Sequence, residues 1–374
     1  KFLMYPFIFI TLLYHIISYG QSMLLIKRVC QYFLLMEIFI SINSINVKMN
    51  LKDRKLLFYL DYDARASLTD LSKKLQLSKQ NISYKIKKLE EAGIIEKYVS
   101  VIDIHKLGYL TYRAYIRLGK LKNQDIKKIE KYFVENPSIL WFVSISGTWD
   151  YELVSVAKNY IEFAKQFNSI REYLKERLVK FDLSLSIVNL HYKKDYLINN
   201  KRKFGNIAYY GYEPKDEKID LVDTKLLIEL SKNCRRSNQE IGKILGVTHH
   251  TIKARIQRME KLGVIQSHRS KIHIQKLGYK HMKAAFHLYP HSEKEEKELA
   301  TYLSSFPNVT YVVKILGKWE IEIEAEVENE EYFSDILRAV RNKYPNLIND
   351  YYTFQVTREI KLNYFPIGEL LLKT

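Results

Sequence analysis

Leu77-Ser78-Lys79-Gln80-Asn81-Ile82-Ser83-Tyr84-Lys85-Ile86-Lys87-Lys88-Leu89-Glu90-Glu91-Ala92-Gly93-Ile94-Ile95 is the stretch on which the reading of this chain turns. Ile82, Ile86 and Leu89 stand at i, i+4 and i+7, which makes one buried stripe along a helix. At about 100° per residue the opposite side carries Gln80, Ser83, Tyr84, Lys87 and Lys88, with Lys79 at the N-terminal end. Ser78 can cap this helix, and Gly93 can take the left-handed conformation that ends it. The same design returns 170 residues later. There Thr248 caps, Ile252, Ile256 and Met259 form the stripe, His249 opens the helix, and His250, Lys253, Gln257 and Arg258 point outward.

Working outward, residues 51–109 and 221–279 align without a gap, and 22 of the 59 pairs are identical. Leu56, Leu57 and Leu60 mark a first helix and recur as Leu226, Leu227 and Leu230. Ser67-Leu68-Thr69-Asp70 has the form of a capping box and recurs as Ser237-Asn238-Gln239-Glu240. A second helix buries Leu71 and Leu75, or Ile241 and Leu245, before a tight connection to the third. Helix, short turn and helix make a helix-turn-helix, whose outward polar donors can meet base edges while its cations neutralise phosphates. Residues 94–98 and 101–104 then predict a short hairpin, a wing on which Lys97, Arg269 and Lys271 are candidate phosphate contacts.

The register holds further on: Pro137 maps to Pro307, and Gly147-Thr148-Trp149-Asp150 to Gly317-Lys318-Trp319-Glu320. Residues 111–118 alternate as a strand, a helix runs from about 124 to 135, strands follow at 139–146 and 151–157, then a helix over 160–177 and a strand over 179–188. The order βαββαβ is the ferredoxin-like plan. In the second copy Ile321, Ile323, Ala325 and Val327 alternate with Glu320, Glu322, Glu324 and Glu326. The expectation is a solvated glutamate face, the alternative a face salt-bridged to Arg113 and Arg117 of the first copy.

The expected fold is α+β, a tandem duplication of a winged helix-turn-helix followed by a ferredoxin-like domain. Its boundaries fall at 49–109 and 110–189 for the first copy, 190–218 for a basic linker, and 219–279 and 280–374 for the second copy. In the linker Lys193, Lys194, Lys201, Arg202 and Lys203 are either phosphate contacts or solvated.

The chain of 374 residues has a formal net charge of +18, which suggests a polyanionic partner. Its distribution says more: twelve basic against eight acidic side chains in 51–109, twelve against four in 221–279, and eleven against fifteen in 281–374. The two cysteines, Cys30 and Cys234, supply neither a disulfide framework nor metal-ligand spacing, so a reducing cytoplasmic setting is expected, with no metal and no cofactor. Residues 1–48 hold two apolar stretches, Phe2–Ile17 and Val29–Ile42, with no counterpart in the second copy. They read as translated DNA upstream of a start at Met49, or else as a membrane anchor.

On the stretch from Leu77 to Ile95 and the Gly147–Asp150 turn, each copy resembles a leucine-responsive/asparagine-C (Lrp/AsnC) transcription regulator of the archaeal type. That resemblance implies double-stranded DNA as the partner. It also implies a RAM-like back domain that pairs and senses amino acids or related small molecules, with Gly147, Trp149, Asp150, Gly317, Trp319 and Glu320 at an effector-binding turn. Since both units lie in one chain, an intrachain pseudo-dimer is expected, with further self-association left open. Siroheme decarboxylases resemble the same layout. An enzyme of that kind needs a tetrapyrrole pocket with basic and proton-donating side chains, for which His281 and His287 are scattered candidates without a constellation.

Overall fold

The computed structural model describes residues 49–200, 202 and 207–372. The expectations for residues 1–48, Cys30, Lys201 and Lys203 lie outside the described residues. No described helix is long and apolar enough to cross a membrane. The first copy runs α1 (Leu51–Tyr62), α2 (Leu68–Leu75), α3 (Lys79–Glu91), β1 (Ile95–Ile102), β2 (Leu110–Leu118), α4 (Asn123–Glu135), β3 (Ile139–Ser146), β4 (Tyr151–Ala157), α5 (Tyr160–Leu174) and β5 (Leu178–His191). After a short strand β6 (Ala208–Gly211) the second copy runs α6 (Leu221–Lys232), α7 (Asn238–Leu245), α8 (His249–Lys261), β7 (Ile265–Ile272), β8 (Lys280–Leu288), α9 (Glu293–Ser305), β9 (Val309–Leu316), β10 (Ile321–Val327), α10 (Glu330–Lys343) and β11 (Ile348–Leu362), and the chain reaches α11 (Gly368–Leu371).

Local chemistry sets the helical ends. Asn50, Ser67 and Ser78 each accept a hydrogen bond from the backbone N–H three residues on, and Asp220, Ser237 and Thr248 repeat this in the second copy. Gly93 and Gly263 sit at φ +62° and +72°, the left-handed conformation that lets the chain leave α3 and α8 at once.

The hairpin expected after each third helix is not formed. Each copy supplies a single strand, and β1 pairs antiparallel with β7, Tyr98 opposite Ser270 and Ser100 opposite His268. One strand per copy suffices because the other copy satisfies its backbone edge. A near two-fold relation follows: the Ala64 N–H donates to the His268 carbonyl at 2.9 Å and the Cys234 N–H to the Tyr98 carbonyl at 3.0 Å. The Asp103 N–H donates to the Val264 carbonyl and the His273 N–H to the Ile94 carbonyl, both at 2.8 Å. The wing cations are thereby drawn inside. Lys97 donates to the Leu362 carbonyl at 2.7 Å, Arg269 to the Tyr192 carbonyl at 2.9 Å, and Lys271 pairs with Glu96 and Glu359. None of the three is placed as the phosphate contact expected of it.

Behind this ribbon the two ferredoxin-like sheets merge. The strand order is β2-β4-β3-β11-β8-β10-β9-β5, and β5 also pairs with β2, so eight strands close a barrel. The seams between copies are β3 with β11 and β5 with β9. Each sheet packs its outer face on its own helices, Tyr112, Ala114 and Ile116 on Phe133, Phe163 and Phe167 in one copy, Ala284 and Phe286 on Leu299, Leu303 and Phe333 in the other. Alternation along each strand then sends the remaining side chains into the barrel.

Those side chains include charge. Arg113 donates to Glu152 at 2.6 Å, Lys283 pairs with Glu152 and, at 2.6 Å, with Glu322, and the Tyr115 hydroxyl donates to Glu322 at 2.7 Å. Arg113 and Lys283, like Glu152 and Glu322, are equivalent positions at the 170-residue offset, so the quartet straddles the axis relating the copies. Burial opposes the charge on Arg113, but Glu322 and Glu152 outweigh it and hold its pKa well above the ordinary value. The solvated glutamate face expected at 320–326 is thus corrected: Glu322, Glu324 and Glu326 are buried at 0%, 6% and 6% exposure. Arg113 supplies part of the compensation. Arg117 does not, since it donates to the Gly147 and Thr148 carbonyls and faces Asp150.

Three described cations of the connector are engaged within the fold. Arg202 pairs with Asp195 at 2.8 Å and donates to the Ser304, Pro307 and Val309 carbonyls; Lys194 pairs with Glu326; Lys193 lies 3.6 Å from the centre of the Tyr62 ring. Lys194 and Arg202 are thus paired inside the protein, while Lys193 is half-buried against Tyr62.

Candidate nucleic-acid interface

On α3 the side chains of Lys79, Gln80, Ser83, Tyr84, Lys87 and Lys88 are all exposed, while Ile82, Ile86 and Leu89 are buried. Lys88 lies 4.9 Å from the centre of the Tyr84 ring, and Lys87 reaches toward Glu91 at 3.7 Å, a surface pairing worth little. On α8 His249, His250, Lys253, Gln257 and Arg258 are exposed, with the two imidazoles 3.9 Å apart. Both helices therefore offer polar donors at the start and cations further along.

Sequence reasoning missed what orients them. Lys85 binds Asp53 of α1 at 2.7 Å, and its counterpart Arg255 binds Asp223 of α6 at 2.8 Å and Asp220 at 2.7 Å. Arg258 also pairs with Asp223, whose carboxylate is fully buried. The signal was present, because an aspartate and a cation 32 residues on recur in both copies. Arg258 is half engaged in holding its own helix.

The two Gly-X-Trp-acid turns lie at the barrel rim. Trp149 and Trp319 are each 1% exposed, and Asp150 and Glu320 accept from the Leu118 and Leu288 backbone N–H groups at 2.7 and 2.8 Å. Gly147 sits at φ +129°, and Lys318 pairs with Asp182 at 2.6 Å. Each turn is a corner whose acid is occupied by a strand amide.

A cavity of about 390 Å³ lies between the barrel and the β1–β7 ribbon. Residues related by the 170-residue offset line it from both copies, and their chemistry differs. Val99, Thr111, Leu140, Trp141 and Val154 of the first copy face Arg269, His281, Thr310, Tyr311 and Glu324 of the second. Five carboxylates in the lining, Asp61, Glu96, Glu324, Glu326 and Glu359, balance five cations, Arg113, Lys194, Arg269, Lys271 and Arg358. Burial tends to raise the Glu324 carboxyl, but Lys283 and a 3.0 Å hydrogen bond with His281 hold it down at about 2. Burial, then Arg269 and Lys194, keep the His191 imidazole well below its usual range and so neutral; its Nδ1 lies 2.9 Å from the Tyr311 hydroxyl. Among the described residues no group of three or more His, Cys, Asp or Glu side chains could hold a metal ion.

Comparison with known proteins follows the duplication. Residues 49–96 match the family model of a winged helix-turn-helix DNA-binding domain, and residues 219–260 match that of the AsnC-type helix-turn-helix domain. The transcriptional regulator AzlB of Bacillus subtilis is 35% identical over 108 residues, 29% of this chain and 69% of that protein. The chain belongs to the Lrp/AsnC family of transcription regulators. An uncharacterised HTH-type regulator of Pyrococcus furiosus, PF0054, is 31% identical over 129 residues and 82% of its length is covered, so this Lrp/AsnC chain has archaeal relatives as well. Each relative matches about one copy. At full length the fold is that of the siroheme decarboxylase NirDL, with a TM-score of 0.56 over 87% of this chain and 99% of that one, at 14% identity. That likeness shows the shared two-copy architecture. Of the two histidines singled out for a tetrapyrrole pocket, His281 lines the cavity of this Lrp/AsnC regulator, whereas His287 lies apart, 3.2 Å from Glu320.

Proposed function

We propose that this chain occupies one duplex through both third helices, with Gln80, Ser83, His249 and His250 toward base edges and Lys79, Tyr84, Lys87, Lys88, Lys253 and Gln257 toward the backbone, and that it acts in the cytoplasm as a regulator and not as an enzyme. The observation that carries this reading is the mounting of α3 and α8, with polar faces outward, on one ribbon made by both copies. Because the two faces differ in every base-edge candidate, the preferred site has related but unequal halves.

A retardation assay with duplex DNA tests it. Affinity should fall with added salt by a slope of about −0.9 per phosphate neutralised, and variants at α3 and α8 should each lose part of it. Absence of binding at low salt would end the proposal. A small molecule of the amino-acid class is proposed to tune occupancy. The cavity supports the regulator over a decarboxylase, since its lining has balanced charge and leaves no excess of cations for a substrate bearing many carboxylates.

A further inference from the structure

The β1–β7 ribbon ties each reading helix down through one side chain, and the two ties differ in chemistry. In the first copy the Tyr98 hydroxyl of β1 donates to Glu90, in the last turn of α3, at 2.7 Å. In the second copy the equivalent position on β7 is His268, whose Nε2 lies 3.1 Å from Glu260 in the last turn of α8. Tyr98, Ser100, His268 and Ser270 alternate onto one face of the ribbon, with Tyr98 opposite Ser270 and Ser100 opposite His268.

The serines show which joint is complete. Ser100 Oγ lies 2.8 Å from His268 Nδ1, so both imidazole nitrogens are engaged. Ser270 is the equivalent serine beside Tyr98, and its buried Oγ has no hydrogen-bond partner among the described residues. A phenol carries its one polar atom at the tip and offers nothing to a group beside the ring.

Protonation acts on one joint only. As a carboxylate Glu260 only accepts, so in the neutral imidazole Nε2 carries the hydrogen and Nδ1 accepts from the Ser100 hydroxyl. The imidazolium keeps both bonds, since Ser100 Oγ can turn from donor to acceptor, and it adds a charge facing Glu260. Burial, then the bond to Glu90, pushes the Tyr98 hydroxyl far up, so that side chain stays neutral. The other titratable groups around Glu260 are Arg65 and Asp63, from the turn after α1, with Arg235 and Cys234 beside them. Cys234 is a neutral thiol, pushed up to about 12 by burial. The Arg65 guanidinium is bonded to the Cys234 and Arg236 carbonyls and to Asn238, which fixes it independently of the imidazole.

We propose that His268 is a positioning residue for α8, one whose hold on Glu260 tightens when the imidazole takes up a proton, so that the second reading head answers to pH and the first does not. The joint stands on the geometry alone; its effect on DNA rests on the regulator reading.

Hydrogen exchange of the full chain tests the joint, with α3 as internal reference and intrinsic exchange rates divided out at each pH. Protection of the α8 amides relative to those of α3 should rise about threefold as pH falls from about 8 to 5. His268→Gln, which keeps a neutral donor, should hold that ratio level. Glu260→Gln should do the same by removing the carboxylate, at a position 42% exposed and so tolerant of change should His268→Gln fail to fold. Tyr98→His should give the α3 amides a rise of their own, because Glu90 and Ser270 stand at the equivalent positions. A level ratio in the unaltered chain, or a rise that survives in either folded glutamine variant, would overturn the assignment.

Retardation of random duplex DNA separates the two readings. The exposed His249 and His250 are common to the unaltered chain and His268→Gln, so the difference between these two isolates the joint. As pH falls from about 8 to 5 the unaltered chain should gain about threefold more affinity than the variant. An equal gain would overturn the part of His268 in reading DNA. The expected exchange result with no DNA binding at either pH would remove the regulator reading and leave the joint, and DNA binding with a level exchange ratio would do the reverse.

Discussion

The two third helices are built on one pattern and anchored by different means. In the first copy a single ion pair, Lys85 with Asp53, joins α3 to α1, and both side chains are 19% exposed. In the second, the fully buried Asp223 takes both Arg255 and Arg258, Asp220 takes Arg255 again, and Asp220 and Asp223 also cap α6 reciprocally. The second head is held harder. Its greater positive charge is largely used inside the fold: Arg235 donates to the Ala64 carbonyl, Lys276 to the Ala92 carbonyl, Arg236 pairs with Glu229, and Arg269 is buried. Net charge counted along a segment therefore overstates what a duplex would meet.

The largest effect expected from this comparison is at Asp223. Asp223→Ala removes one member of a buried pairing and half of a capping box, and should destabilise the second head by about 3 kcal/mol. Hydrogen exchange of the α8 amides would register it, and an equally small effect at Asp223 and Asp53 would break the contrast. Next comes acid stability, which tests the different residues the two copies place at the equivalent positions Val154 and Glu324. Glu324 has a folded pKa of about 2, so its contribution is present above the ordinary carboxylate value near 4.5 and is lost as pH falls toward 2, on the order of 3 kcal/mol. His191, held neutral in the fold, takes up a proton on unfolding below about 6.5, so it too makes the protein less stable in acid. Glu324→Val, which copies Val154, should flatten the part of a stability-against-pH curve between about 4.5 and 2. An unchanged acid limb would show that Glu324 does not carry it.

Base reading ranks third. Gln80→Ala and His250→Ala should each alter base preference at one half-site by about 1–3 kcal/mol, measured by competition among duplexes differing at single positions. Equal loss on every duplex would show that neither reads bases. Lys87→Ala with Lys88→Ala should instead weaken all duplexes alike and lower the salt slope by about 2. Arg258→Ala should do more than remove a cation, because it also removes one of the two α8 cations held by Asp223; a loss confined to the salt slope would contradict that.

How far the sequence carried the reading depends on which contacts are local. Helix ends, the stripes at Ile82, Ile86 and Leu89, and the βαββαβ order were legible, because caps and periodicity act within a few residues. The partner of β1 was not, since alternation marks a strand without saying whose edge it joins, and a hairpin is the solution nearest in sequence for residues 94–104. The glutamates of β10 show the same limit. A period of two establishes one face, but whether that face meets water depends on Arg113 from the first copy and Lys283 one strand away, which meet only when the barrel closes. The cavity was invisible for a further reason: Arg269 and Lys271 read as wing residues, and only the ribbon turns them inward.

The smallest expected effect tests the weaker anchor itself. Asp53→Ala removes the ion pair that joins α3 to α1, which is partly exposed and should contribute only about 0.5 kcal/mol. The same change frees Lys85 and takes away a negative charge near the proposed DNA face, so non-specific affinity at low salt should rise slightly while stability falls slightly. Both signs follow from one carboxylate, and exchange rates of α3 with a retardation assay on random duplex would measure them together. If affinity instead falls, Lys85 is needed to orient the helix, and the first head would be anchored as firmly as the second despite having one pair in place of three.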